Sequence, residues 1–160
     1  MGNSPNTMYP KAPNSLIIKS SNGGFIDLEN INYQNIVVAL DVDFNNRNLS
    51  NVKLDFICNL YVNLAANDWI EFVLSLYRYK NEENFELLTS VPYKIILGEE
   101  VPEDGTLVNI SLEKNDFITF SYFDSNTLPK KYRYVVKVEL NYISVEAAQI
   151  QSSTLSLIAQ

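Results

Sequence analysis

KLDFICNLYVNL, residues 53–64, places an apolar or thiol side chain at every even position: Leu54, Phe56, Cys58, Leu60, Val62 and Leu64. Successive residues of a strand point to opposite faces, so this strict period of two reads as a long strand. One face lies in a core and the other, carrying Lys53, Asp55, Asn59 and Asn63, looks toward solvent.

The neighbouring segments continue the pattern. SLIIKS (15–20) and FIDLE (25–29) flank an Asn22-Gly23-Gly24 turn signal and are predicted to form a hairpin. IVVALDVDF (36–44) is a third strand that ends in the polar stretch NNRNLSN (45–51). WIEFVLSLYRYK (69–80) holds Ile70, Phe72, Leu74 and Leu76 on one parity and Trp69, Glu71, Val73, Ser75, Tyr77 and Tyr79 on the other. FELLTSVPYKIILG (85–98) contains Pro92, which cannot donate to a ladder, so this strand is predicted to lie at an edge or to break in two. TLVNISL (106–112), DFITFSYF (116–123), YRYVVKVELNYIS (132–144) and SSTLSLIAQ (152–160) complete the set, and VEAAQI (145–150) reads as a loop or bulge between the last two. Many short strands without interleaved helices predict an all-β, antiparallel β-sandwich of jelly-roll type over residues 15–160. Residues 1–14, with Pro5, Pro10 and Pro13, are predicted to form an extended N-terminal arm. The predicted core is Leu54, Phe56, Leu60, Val62, Phe72, Leu74, Val136, Val138 and Leu140, with Cys58 buried among them.

A chain of 160 residues suits one such domain, and 46% hydrophobic against 19% charged residues is the balance of a packed protein that needs no cofactor to fold. A net charge of −7 repels phosphate backbones and anionic lipid, which argues against nucleic acid as a partner. The opening MGNSPNTMYPKAPN carries neither a basic leader nor an apolar run, and no segment reaches the length of a membrane span. The expectation is a chain made in the cytosol, with no membrane insertion.

The sequence holds no histidine, so no Ser-His pair can activate a nucleophile. Asp41, Asp43 and Asn45 begin like a calcium loop, but Asn46 stands where the glycine belongs and Val52 where the bidentate glutamate belongs. Glu99, Glu100, Glu103 and Asp104 sit in one acidic turn, whereas a catalytic carboxylate pair must flank its substrate. No catalytic residue, metal site or cofactor is therefore assigned, and no enzymatic activity. The aromatic residues offer more. Trp69, Tyr77 and Tyr79 share a parity of one strand and Tyr132, Tyr134 and Tyr142 a parity of another, as either a platform for stacking a sugar ring or cover for a second sheet face or subunit contact.

VDFNNRNLSNVKLDF (42–56) and the closing TLSLIAQ (154–160) look like the central and terminal segments of a family of short β-rich clostridial proteins without an assigned enzymatic activity. In size and layout the chain is similar to spore-surface subunits of Bacillus and Clostridium, the jelly-roll proteins of endospore appendages and the globular domains of the exosporium nap. The resemblance implies a structural subunit at a spore or cell surface, released by mother-cell lysis without a signal peptide, with an arm that reaches into a neighbour. Such relatives are often cysteine-rich and disulfide-linked; this chain has one cysteine, so its assembly would rest on strand pairing and burial. The expected function is self-assembly by β-strand augmentation into a fibre or layer, with Met8, Tyr9, Pro10, Leu16, Ile17 and Ile18 as the interface. The alternatives are a lectin-like sandwich that binds carbohydrate and a viral capsid or tail subunit.

Overall fold

The computed structural model describes residues 16–44, 51–65, 67–97, 111–125 and 130–159. These form nine strands: β1 (Ile17–Gly23), β2 (Ile26–Asp27), β3 (Gln34–Asp43), β4 (Val52–Ala65), β5 (Trp69–Tyr79), β6 (Phe85–Ile96), β7 (Ser111–Asp124), β8 (Lys131–Ile143) and β9 (Ala147–Ala159). They build two antiparallel sheets, in the orders β1-β9-β4-β7 and β3-β8-β5-β6, with β2 also paired to β9. These two orders, with the chain crossing repeatedly from one sheet to the other, are those of a jelly roll made of two Greek keys.

The strict alternation along residues 53–64 sets the interior. β4 runs between β7 and β9, and its even residues are at most 2% exposed. Phe72, Leu74, Val136, Val138 and Leu140 meet them from the opposite sheet and are equally buried. β6, with Pro92, lies at the edge of its sheet, where a missing N–H donor costs no ladder bond.

Two local readings are corrected. β1 and β2 do not pair with each other; both lie along the same edge of β9, β1 against residues 153–159 and β2 against 149–150. A bulge at Gln151, where β9 slips one residue against β4, falls between the two and turns the edge away from any single continuous partner. VEAAQI is mostly strand: Val145 and Glu146 bend, and β9 begins at Ala147.

The Asn-Gly-Gly stretch does a different job from a hairpin turn. A bulge in β3 inserts Val37, and the Val37 carbonyl accepts a hydrogen bond from Ser153 Oγ at 3.1 Å, joining the two sheets. Gly23 lies against this bond, and a Cβ there would collide with both the Val37 oxygen and Ser153 Oγ, whereas a Cβ on Gly24 would meet nothing. The Val37 oxygen is backbone and cannot step aside. Gly23→Ala is therefore expected to destabilise the fold by about 1–3 kcal/mol, and Gly24→Ala to be neutral or stabilising by up to about 1 kcal/mol. Urea unfolding of the two variants checks this; equal midpoints would show that the β1–β3 contact gives way freely.

Candidate functional site

Three features stand out from the ordinary core and surface of this sandwich: a buried ionic link, an aromatic outer face and an uncharged sheet edge.

The link follows from parity. Arg78 continues the inward row of Ile70, Phe72, Leu74 and Leu76, so its guanidinium is delivered to the interior and is 3% exposed. It donates to both oxygens of Asp124, at 2.6 and 2.7 Å, and to Glu86 at 2.7 Å. The Tyr134 hydroxyl donates to Asp124 at 2.9 Å, and Arg78 lies over the Tyr132 ring. Burial disfavours the guanidinium charge, but Glu86 and Asp124 outweigh it and hold the Arg78 pKa above its ordinary value. Asp124 closes β7 in one sheet and Arg78 is the last residue but one of β5 in the other, so the pair ties the sheets together at this end. An inward-parity arginine in an apolar row was the sequence signal for this link.

The structure divides the two aromatic rows. Tyr132 and Tyr134 are 3% and 0% exposed and belong to the core, on the same inward parity as Val136, Val138 and Leu140. Tyr134 presents no face to a ligand, and Tyr132, which lines the concavity beside Tyr79, is too buried to stack a sugar ring, which corrects their reading as a stacking platform. Tyr142 shares their numerical parity but points outward, because β8 inserts Asn141 as a bulge against β5. There its ring stacks on Trp69, with centroids 3.7 Å apart, and Lys94 Nζ sits 4.1 Å from the Trp69 centroid. A ring engaged in this way has little face left for a sugar. Tyr77 and Tyr79 lie farther along the same outer face, packed with Phe85 and with Lys137 Nζ 5.1 and 5.7 Å from their centroids. Beside Tyr79 a concavity of about 690 Å³ gathers five of the chain's twelve lysines and arginines: Lys19, Lys80, Lys131, Arg133 and Lys137. Three carboxylates, Asp41, Asp43 and Glu82, share it, so its balance is cationic in an acidic protein.

Of the residues expected to form an assembly interface, Met8, Tyr9 and Pro10 lie outside the described residues, as does the acidic turn at 99–105. Ile17 is half-buried against its own core, and the SLIIKS stretch from Ile17 to Ser20 is taken up by pairing with its own β9. Leu16 and Ile18 remain exposed.

The edges of the two sheets differ in how they are guarded. β1 carries Lys19 and packs beside β3; β3 carries a bulge with Asp41 and Asp43; β6 carries Pro92, Glu86 and Lys94. Charge, proline and bulges are the usual means of blunting an edge against other chains. β7 has Glu113, Lys114 and Asp116 in its first half, but residues 117–123, FITFSYF, hold no charge, no proline and no glycine. Among the described large hydrophobic residues Phe117 in this run is the most exposed, at 69%, and Phe123 follows at 67%, equalled by Ile18. Composition alone marked this segment as a strand; its edge position, set by the crossover topology, was not legible.

Compared with known proteins, the chain matches no protein-family model and no curated protein, so neither comparison identifies a spore-surface family.

Proposed function

We propose that this protein is a non-enzymatic structural subunit that self-assembles by adding sheet edge to sheet edge, and that the assembly is a fibre or layer at a bacterial spore or cell surface. The observation that carries the self-assembly reading is the unguarded run at residues 117–123 of edge strand β7, with two exposed phenylalanines. Uncharged, β-prone edges of this kind template pairing with another chain, and a sandwich that is to stay alone blunts them. The surface location rests on the resemblance of residues 42–56 and 154–160 described above.

A second reading is favoured by the cationic concavity beside Tyr79: a lectin-like site for a sugar that carries a carboxylate, with the tyrosine ring against the sugar face and lysines on the acid.

Sedimentation velocity and negative-stain microscopy of the full chain over a wide concentration range separate the two. Oligomers or filaments that grow with concentration are the expected result. A chain that stays monomeric at millimolar concentration and binds glucuronate would overturn the assembly reading in favour of the second.

A further inference from the structure

We propose that β7 is the seam, and that it pairs antiparallel with β7 of a second copy about a two-fold axis through Phe120. This rests on the self-assembly reading and specifies its contact. The argument is the order of residues within the edge. FITFSYF reads nearly the same in both directions: Phe117 matches Phe123, Ile118 matches Tyr122, Thr119 matches Ser121, and Phe120 is the centre.

Antiparallel pairing of a strand with itself sets such positions opposite one another. Members of an opposed pair point to the same face of the sheet. Odd residues of β7 face outward, because they pair with Lys53, Asp55, Ile57 and Asn59 of β4, and even residues face inward with Leu54, Phe56 and Cys58. In the proposed register odd therefore meets odd. Phe117 of each copy lies against Phe123 of the other on the outer face, with a Thr119–Ser121 hydroxyl pair beside it. Ile118 lies against Tyr122, and Phe120 against itself, on the inner face.

Neighbouring registers fit worse. Moving the axis to Thr119 sets Phe117 on Ser121 and Phe123 on Asn115, and moving it to Ser121 sets Ile118 on Asp124. In the proposed register the flanking Asp116 approaches Asp124 of the other copy, but each is already countered within its own chain. Lys114 Nζ is 3.0 Å from Asp116, and Arg78 Nη1 is 2.6 Å from Asp124.

The contact also suits the charge of the chain. Two copies of net −7 repel at long range and must meet on a patch without charge, and this run is one. A buried phenylalanine covers about 150–250 Å², so the four exposed rings would remove roughly 400–700 Å² before the two main-chain edges are counted. A stable interface needs about 1,200–2,000 Å². The pairing is thus expected to be concentration-dependent. Being isologous, it closes to a dimer, so a fibre or layer needs a second contact elsewhere on the subunit.

The test uses the full chain. Thr119→Cys combined with Ser121→Cys should give a disulfide-linked dimer on mild oxidation, because the two positions are opposed across the axis. Neither single variant should, since each cysteine then faces only a hydroxyl and its nearest counterpart lies on the diagonal. Phe117→Lys should weaken association at least tenfold with an unchanged far-UV spectrum. Combining Phe117→Lys with Phe123→Glu should restore it, because opposite charges then meet at both ends of the seam. If the native chain associates but the double-cysteine variant does not cross-link and Phe117→Lys associates as before, the seam is elsewhere and only this inference fails. If the native chain does not associate at all, self-assembly itself fails and the seam with it.

Discussion

Asp124→Ala is expected to destabilise the fold by about 3–5 kcal/mol, the cost of leaving a buried charge without its partner. Asp124 is 2% exposed and takes three hydrogen bonds, two from Arg78 and one from the Tyr134 hydroxyl. Removing its carboxylate strips a guanidinium that is itself 3% exposed of its buried counter-charge and leaves it facing the half-exposed Glu86 carboxylate. It also leaves the Tyr134 hydroxyl without its acceptor inside the core. The converse change should behave differently. Arg78→Met with Asp124→Leu removes both charges together, and an apolar pair of similar volume is expected to recover most of the loss. A double-mutant cycle by urea unfolding measures the coupling directly. Single-variant losses that simply add in the double variant would show that the two groups do not act as a unit.

The same pair bears on assembly. Asp124 ends β7, and its bond to Arg78 pins that end of the edge strand to the opposite sheet. A strand fixed at its end presents its edge in one register, which a self-complementary seam requires. Loosening the link should therefore weaken association as well as stability.

The parts of this fold that were legible in the sequence are those governed by a local period. The even residues of β4 were read as core from alternation alone, and β6 was read from Pro92 as either an edge strand or a broken one, because a proline in a central strand would waste a ladder bond; it is an unbroken edge strand. What misled was each place where one inserted residue reverses the parity. Asn141 sends Tyr142 outward while Tyr132 and Tyr134, on the same count, stay in the core. Gln151 splits the edge of β9, so that two segments with a turn signal between them became successive partners of one strand rather than partners of each other. Bulges have no strong local signature, since they are decided by the twist the sheets need to close over each other. Strand order was equally hidden. Nothing in FITFSYF says that its far side faces solvent; that follows from β4 having β9 on its other side, a pairing between segments some ninety residues apart. The ionic link lay between these extremes. Arg78 could be placed on the inward row by counting, but its partner Asp124 lies one residue past the strand read over 116–123, where no parity marked it as inward.

Stability is expected to fall in two stages as pH rises above about 9, and the two stages belong to identifiable residues. Burial pushes the Cys58 thiol up from 9.0 to about 12, partly offset by a hydrogen bond with the backbone of Ile118. In the unfolded chain that thiol ionises from about pH 9, while in the folded protein it keeps its proton, so between these values the unfolded state binds fewer protons and stability declines with pH. The slope is about 1.4 kcal/mol per pH unit, and across the whole window it amounts to about 4 kcal/mol. Above pH 10 further contributions of the same sign begin: burial and then the neighbouring Asp124 raise the Tyr134 phenol well above its ordinary value of 10.0, and smaller rises at Tyr93 and Tyr61 add to it. The slope should then at least double. Cys58→Ala should flatten the first stage and leave the second, and Tyr134→Phe should remove the larger part of the second and leave the first, whatever constant loss each causes near neutrality. Urea midpoints taken at steps from neutral pH into the alkaline range test both. A Cys58→Ala curve that runs parallel to the native one between the two onsets would mean that the thiol is reached by water, and thiol reagents would then label the folded protein as fast as the unfolded chain. The arrangement around Cys58 argues for the opposite outcome: it is 1% exposed, its neighbours along the inward row are Phe56 and Leu60, and Ile118 and Ser153 stand opposite it on the two flanking strands.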